Sequence, residues 1–194
     1  MKWIGKRISY NDDNTKTTFI ITPNEPTFVK ALMGAWFFMW LGIGITIVTA
    51  FATLKFTEQE QIITVIFLSF WLYYFVRVGR SFLWILYGKE YLKVDKIALT
   101  LKTSIKNYGK ARIYYLENIK KINVSAPKDR SFQTAWENSP WIRGGERIEF
   151  EYLGKTIRFG RKLNEQDSKL FFQVLTKRIE DQLKKKKYEA KTPL

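Results

Sequence analysis

Residues 31–54 read ALMGAWFFMWLGIGITIVTAFATL, 24 positions without a charge. At about 1.5 Å per residue a helix of that length covers about 36 Å, against about 30 Å of membrane hydrocarbon. The stretch predicts a membrane-crossing helix with a slight tilt. Outward from it, Lys55-Phe56-Thr57-Glu58-Gln59-Glu60 forms a short acidic-leaning loop, and a second uncharged run covers 61–76. That run has only 16 residues, but it continues past Arg77 and Arg80 into SFLWILYG, 81–88. The two arginines have two readings. They snorkel toward an interface, or they face a groove and meet a partner or a lipid phosphate.

Charge around the pair of spans sets an orientation. Met1–Lys30 carries 5 basic and 3 acidic residues, 31–76 carries 1 and 2, and the remainder carries 27 and 13. Basic flanks and an acidic-leaning loop predict a hairpin with both termini in the cytoplasm, in an inner or cytoplasmic membrane. An apolar run of this length predicts an uncleaved anchor, since a signal peptide has an apolar core of only about 7–15 residues. Gly34, Gly42, Gly44 and Ala50 offer close approach between the spans. Trp36, Phe37, Phe38 and Trp40, with Trp71, Tyr73, Tyr74 and Trp84, fit interfacial anchoring.

Composition removes whole classes of chemistry. The chain has neither Cys nor His among its 194 residues. Disulfides, thiolate and imidazole metal sites, cysteine nucleophiles and His-based acid–base catalysis are therefore excluded. A haem would have no such axial ligand, so no cofactor is expected. Glu149 and Glu151 lie two apart on one strand face, yet Arg147 and Arg158 beside them indicate a solvated charged face. Gly144-Gly145 lacks the strand, lysine and helix of a phosphate loop. The chain is read as a non-enzyme.

Before the spans, Asn11-Asp12-Asp13-Asn14 separates two β-prone runs, around Ile8 and around Phe19-Ile20-Ile21, which predicts a hairpin too small to stand alone. It docks on a larger domain or lies at the membrane surface. After Gly88 the pattern alternates: Leu92, Val94, Ile97, Leu99 and Leu101 point one way, with Lys93, Thr100 and Lys102 the other. A turn over 104–110 leads to strands at 112–115 and 119–124. Arg147–Tyr152 and Lys155–Gly160 pair around Leu153-Gly154, setting Phe150 opposite Ile157, Ile148 opposite Phe159 and Glu149 opposite Arg158. The turn type stays open, because Leu153 suits positive φ poorly. Asn164 caps a last helix, with Asp167 returning the bond. Its apolar stripe is Leu170, Phe171, Val174, Leu175, Ile179 and Leu183, leaving Lys169, Lys177, Arg178 and Gln182 for solvent.

Two spans, strands and one amphipathic helix resemble the layout of bacterial PH-like domain membrane proteins. The resemblance rests on Trp84-Ile85-Leu86-Tyr87-Gly88 entering the first strand, Leu116–Ile122 (LENIKKI), and Gly154–Gly160 (GKTIRFG) before the last helix. The layout, with Asn118–Ile122, is also similar to the photosystem I assembly factor of cyanobacteria and chloroplasts. What these resemblances imply is a PH-like β-barrel or sheet capped by a C-terminal helix and used for binding or assembly. The expected fold is thus an α+β membrane protein, with an N-terminal β-hairpin segment (1–28), a transmembrane helical hairpin (29–88), a cytoplasmic PH-like domain (89–183) and a basic tail (184–194).

Two surfaces are candidates for binding. In the aperiodic insert 126–145, Phe132, Trp136, Trp141 and Arg143 have interface composition and either contact a partner or cover the domain's core. Lys106, Lys110 and Arg112 around the 104–110 turn, with Arg77 and Arg80, are candidates for anionic lipid headgroups, at about 1 kcal/mol per charge. The cytoplasmic positive bias alone also accounts for them. No DNA or RNA module is visible, so nucleic acid is not expected. The function expected is a scaffold, assembly or accessory subunit of an integral membrane protein complex, or else an adaptor that senses anionic headgroups.

Overall fold

The structure, a computed structural model, describes residues 1–13, 15–125, 139–141 and 144–191. The chain forms two compact units. One is the helical pair, to which residues 139–141 belong, and the other is a β-rich unit assembled from both sides of it.

The helical unit contains α1 (Thr27–Thr53) and α2 (Glu58–Tyr87), both long and apolar enough to cross a membrane. Only 11% of the most apolar window of each is buried, so neither is the sequestered core helix of a globule. Thr57 starts α2 through a reciprocal cap: its Oγ1 accepts from the Glu60 N–H at 3.4 Å, and Glu60 Oε2 accepts from the Thr57 N–H at 2.8 Å. The helices are joined by reciprocal indole bonds, Trp40 Nε1 donating to the Trp71 carbonyl (3.3 Å) and Trp71 Nε1 to that of Trp40 (2.9 Å). Phe37 stacks on Phe75 at 4.7 Å, and Phe75 on Trp71 at 5.2 Å. These aromatics clamp helix to helix, a role beyond the interfacial anchoring expected of them. Gly44 makes room for the Trp71 ring: a Cβ there would lie 2.0 Å from Cζ2. Gly42, expected to help, has nothing within 4 Å, whereas Gly79 of α2, not anticipated, accommodates Phe37.

The β-rich unit holds a six-stranded antiparallel sheet of strands in chain order: β1 (Lys2–Ile4), β2 (Ile8–Asp12), β3 (Lys16–Ile21), β4 (Gly88–Asp95), β5 (Ala98–Ile105) and β6 (Ala111–Tyr115). β3 pairs with β4 from Lys16↔Asp95 to Ile21↔Glu90, so the N-terminal strands are part of the sheet that continues after the spans. A 3₁₀ turn (Leu116–Asn118) leads to a second sheet of β7 (Ile119–Val124), β8 (Glu146–Tyr152) and β9 (Lys155–Arg161). The two sheets remain open, so the strands do not close into a barrel.

Helix α3 (Glu165–Lys191) completes the core, with Phe171 edge-on to Phe19 at 5.1 Å and to Phe159 at 6.2 Å. Ile8, Phe19, Leu92, Val94, Leu99, Ile148, Phe150, Phe171 and Leu175 are buried in one cluster. The β8–β9 register is as expected, with Phe150↔Ile157, Ile148↔Phe159 and Glu149↔Arg158. Its turn is resolved as type I′, with Leu153 at φ 48° and Gly154 at φ 76°. The α3 cap also forms: Asp167 N–H donates to Asn164 Oδ1 at 2.6 Å, while Asn164 Nδ2 donates back to Asp167 Oδ2 at 3.0 Å.

Three expected side-chain directions are corrected. Ile97 is exposed because Asp95 Oδ1 accepts from the N–H groups of Ile97 and Ala98 (3.0 and 2.9 Å), which takes Ile97 out of the alternation. Gln182 is buried, since it lies seven residues after Leu175, two full turns along the buried line of α3. Leu170, assigned to the stripe, is exposed instead.

Candidate functional site

The outward face of α2 carries Ser69, Leu72, Tyr73, Val76, Arg77 and Arg80 at spacings of three and four, which set side chains along one side of a helix. They line an open groove of about 620 Å³. Arg77 donates to the Tyr73 hydroxyl and lies over its ring, 5.8 Å from the centroid. Arg80 is exposed and makes no ion pair with a described residue. The chain has no Asp or Glu between Glu60 and Glu90, nor between Glu25 and Glu58. No carboxylate of the helical pair can therefore neutralise the two guanidinium groups.

In the β-rich unit, Lys106, Lys110 and Arg112 lie along the β5–β6 hairpin. Lys106 (φ 46°) and Asn107 (φ 72°) form its tip, closed by paired backbone bonds between Ile105 and Tyr108. Lys106 Nζ lies 4.4 Å from the centre of the Tyr87 ring. Arg112 lies opposite Leu101 and Lys102 opposite Ala111. From Ala98 to Tyr115 there is no acidic residue. β6 is also a sheet edge, with β5 as its one neighbour among the described strands, and it exposes Ile113 and Tyr115.

Of the aromatic insert, Phe132, Trp136 and Arg143 lie outside the described residues. Trp141 packs edge-on against Trp36 at 5.3 Å, and Trp36 stacks on Trp40 at 5.2 Å. Its indole thus extends the aromatic column of the helical unit.

Sequence reasoning missed a buried polar cluster. Arg7 donates through Nε to the Thr22 carbonyl (2.9 Å), through Nη2 to that of Arg161 (3.2 Å) and through Nη1 to that of Lys162, binding β2 to the end of β9. Glu90 Oε2 accepts from the N–H groups of Gly160 (2.9 Å) and Arg161 (3.3 Å). Burial raises the Glu90 carboxyl above the usual carboxylate range, against the opposing pull of the Arg161 guanidinium and the two N–H donors. A signal for Glu90 was present, for it shares strand parity with Leu92 and Val94. Nothing in the sequence marks Arg7 as different from its neighbours.

Other charges are matched internally. Glu149 pairs with Arg158 at 3.1 Å and Glu151 with Lys121 at 3.9 Å, as suits a solvated face. A cleft of about 330 Å³ at the β2–β3 turn and α3 is lined by Asp12, Asp181 and Arg178, but Arg178 is paired with both acids. No protein-family model matches the chain, and no curated protein or solved structure matches it.

Proposed function

We propose that the chain is a non-catalytic, membrane-anchored module acting as a scaffold, assembly or accessory subunit of a larger membrane protein complex. Its PH-like character, expected from the sequence resemblance, is part of this reading. The observation that carries it is the edge of β6, which has β5 as its one strand neighbour among the described residues. An open strand offers its backbone N–H and C=O groups to an extended segment of another protein, and exposed Ile113 and Tyr115 give that segment an apolar flank. The shared sheet supports the orientation: β3 enters the spans and β4 leaves them as paired neighbours, so both ends of the hairpin belong on one side, read as cytoplasmic from the basic flanks.

The test is recovery of partners with the full-length protein purified in mild detergent. Ile113→Asp with Tyr115→Asp abolishes recovery, at roughly 2 kcal/mol or more per anchor, while thermal melting stays near wild type because both side chains are exposed. Unchanged recovery would remove β6 as the working surface. Cysteines at Thr57 and Lys155, both exposed, test the orientation: labelling of Lys155→Cys from outside intact cells reverses it.

A second reading, an adaptor for anionic headgroups, is favoured by the acid-free β5–β6 hairpin. Lys106→Glu with Lys110→Glu then weakens binding to anionic liposomes in a salt-sensitive way and leaves partner recovery intact.

A further inference from the structure

We infer that the α2 groove is a binding site for one anionic glycerophospholipid, its phosphate held by Arg77 and Arg80 and one acyl chain lying over Leu72 and Val76. The inference rests on the reading of the helical pair as membrane-embedded, and it is independent of the β6 edge and of Lys106 and Lys110.

Depth is the first argument. Arg77 and Arg80 lie 19 and 22 residues beyond Glu58, about 29 and about 33 Å along the helix axis. With Glu58 at one boundary of about 30 Å of hydrocarbon, both guanidinium groups reach the opposite boundary, where lipid phosphates lie. Charge is the second. Arg77 uses one donor on Tyr73, Arg80 has no counter-ion among the described residues, and the helical pair contains no acid at their depth, so both guanidinium groups are open to an external anion. Guanidinium offers a planar fork of donors that suits a phosphate's oxygens.

Shape is the third argument, and it selects lipid over a partner helix. From Ser69 to Arg80 the groove runs 11 residues, about 16 Å, close to the depth of one hydrocarbon leaflet. Its cationic end lies at the boundary and its apolar end within the slab, the polarity of a phospholipid. Transmembrane helices instead associate through stripes of small residues that let backbones approach, and this face has one small residue, Ser69, against Leu72, Tyr73, Val76, Arg77 and Arg80.

The test is native mass spectrometry of the full-length protein released from micelles doped with equal amounts of phosphatidylglycerol and phosphatidylcholine. Wild type carries one lipid adduct, with phosphatidylglycerol preferred. Arg77→Gln with Arg80→Gln lowers that adduct about thirty-fold, and Arg77→Lys with Arg80→Lys gives an intermediate loss because the point charges remain without the fork. Leu72→Trp with Val76→Trp, which fills the apolar end and keeps both charges, also reduces retention; this arm stands even if the glutamine variant inserts poorly. Lys106→Glu with Lys110→Glu leaves the adduct unchanged. Equal retention in the glutamine variant, or no preference for phosphatidylglycerol in wild type, overturns the site. So does loss of a co-purifying protein on Arg77→Gln with Arg80→Gln while the lipid adduct persists, which assigns the face to a protein. Failure of the membrane reading itself is seen separately, as accessibility of Thr57→Cys and Lys155→Cys from the same side in intact cells.

Discussion

At Leu153 a branched apolar side chain occupies a left-handed backbone position, φ 48°, where its Cβ meets the carbonyl oxygen, and it is exposed, with little packing to offset the strain. Leu153→Asn keeps the type I′ turn and relieves that cost, so a stabilisation of about 1 kcal/mol is expected in thermal melting of the full chain. A lower melting temperature would show that Leu153 has a packing role. Glu90 makes a different prediction. Because burial raises its carboxyl in the folded state, the folded protein holds this proton more tightly than the unfolded chain. The associated stability is fully present below the unfolded value of about 4.3 and is lost as pH rises through the folded one. Glu90→Gln removes the titration, so the melting temperature of the variant relative to wild type climbs as pH rises above the unfolded carboxyl's value. Parallel melting curves above that value would sink the assignment.

Pairing of α1 with α2 depends on a ring lying where a side chain is missing. Gly44→Ala sets a methyl 2.0 Å from Trp71, so the indole must move and its bond to the Trp40 carbonyl is lost. A destabilisation of about 1–3 kcal/mol follows, read as a lower melting temperature of the pair in detergent by tryptophan fluorescence. Gly42→Ala, two residues away with open space around it, should be silent, and a matching loss there would refute the clamp. Elements were legible in the sequence wherever local pattern alone decides them. The β8–β9 register followed from Phe150, Ile148 and Glu149 each finding a complementary partner across a two-residue turn. The inward turn of Trp40 and Trp71 was not legible, because composition places tryptophan in a membrane helix without saying which way it faces. The candidate site was legible in kind: the sequence offered Arg77 and Arg80 either a snorkelling or a groove-facing role, and both side chains line the groove along α2.

On the scale of the molecule, the six-stranded sheet takes β1–β3 from before the spans and β4–β6 from after them. Alternation reveals strands but not their partners, and Ile21 and Glu90 are matched across 69 positions, so this pairing was beyond local reading. Its energetic content is plain, for Ile4, Ile8, Phe19 and Ile21 are all buried in the common core. Replacing 25–86 with a short turn joining Asn24 to Tyr87 should therefore give a water-soluble, cooperatively melting domain. A fragment beginning at Lys89 lacks those four core side chains and should not fold. Circular dichroism and thermal melting of the two fragments check both outcomes, and a cooperative transition in the shorter one would mean that β1–β3 are dispensable.

The split sheet also imposes an order on biosynthesis. The end of β3 leaves the ribosome 67 residues ahead of Gly88, a delay of about 3–13 s at roughly 5–20 residues per second. During that interval the strand has no β4 to receive it. On the membrane-crossing reading proposed above, a nascent chain that separates β3 from β4 across the bilayer is left with an unpaired edge and a vacant core. Completion of the sheet thus requires β3 and β4 to meet on one side.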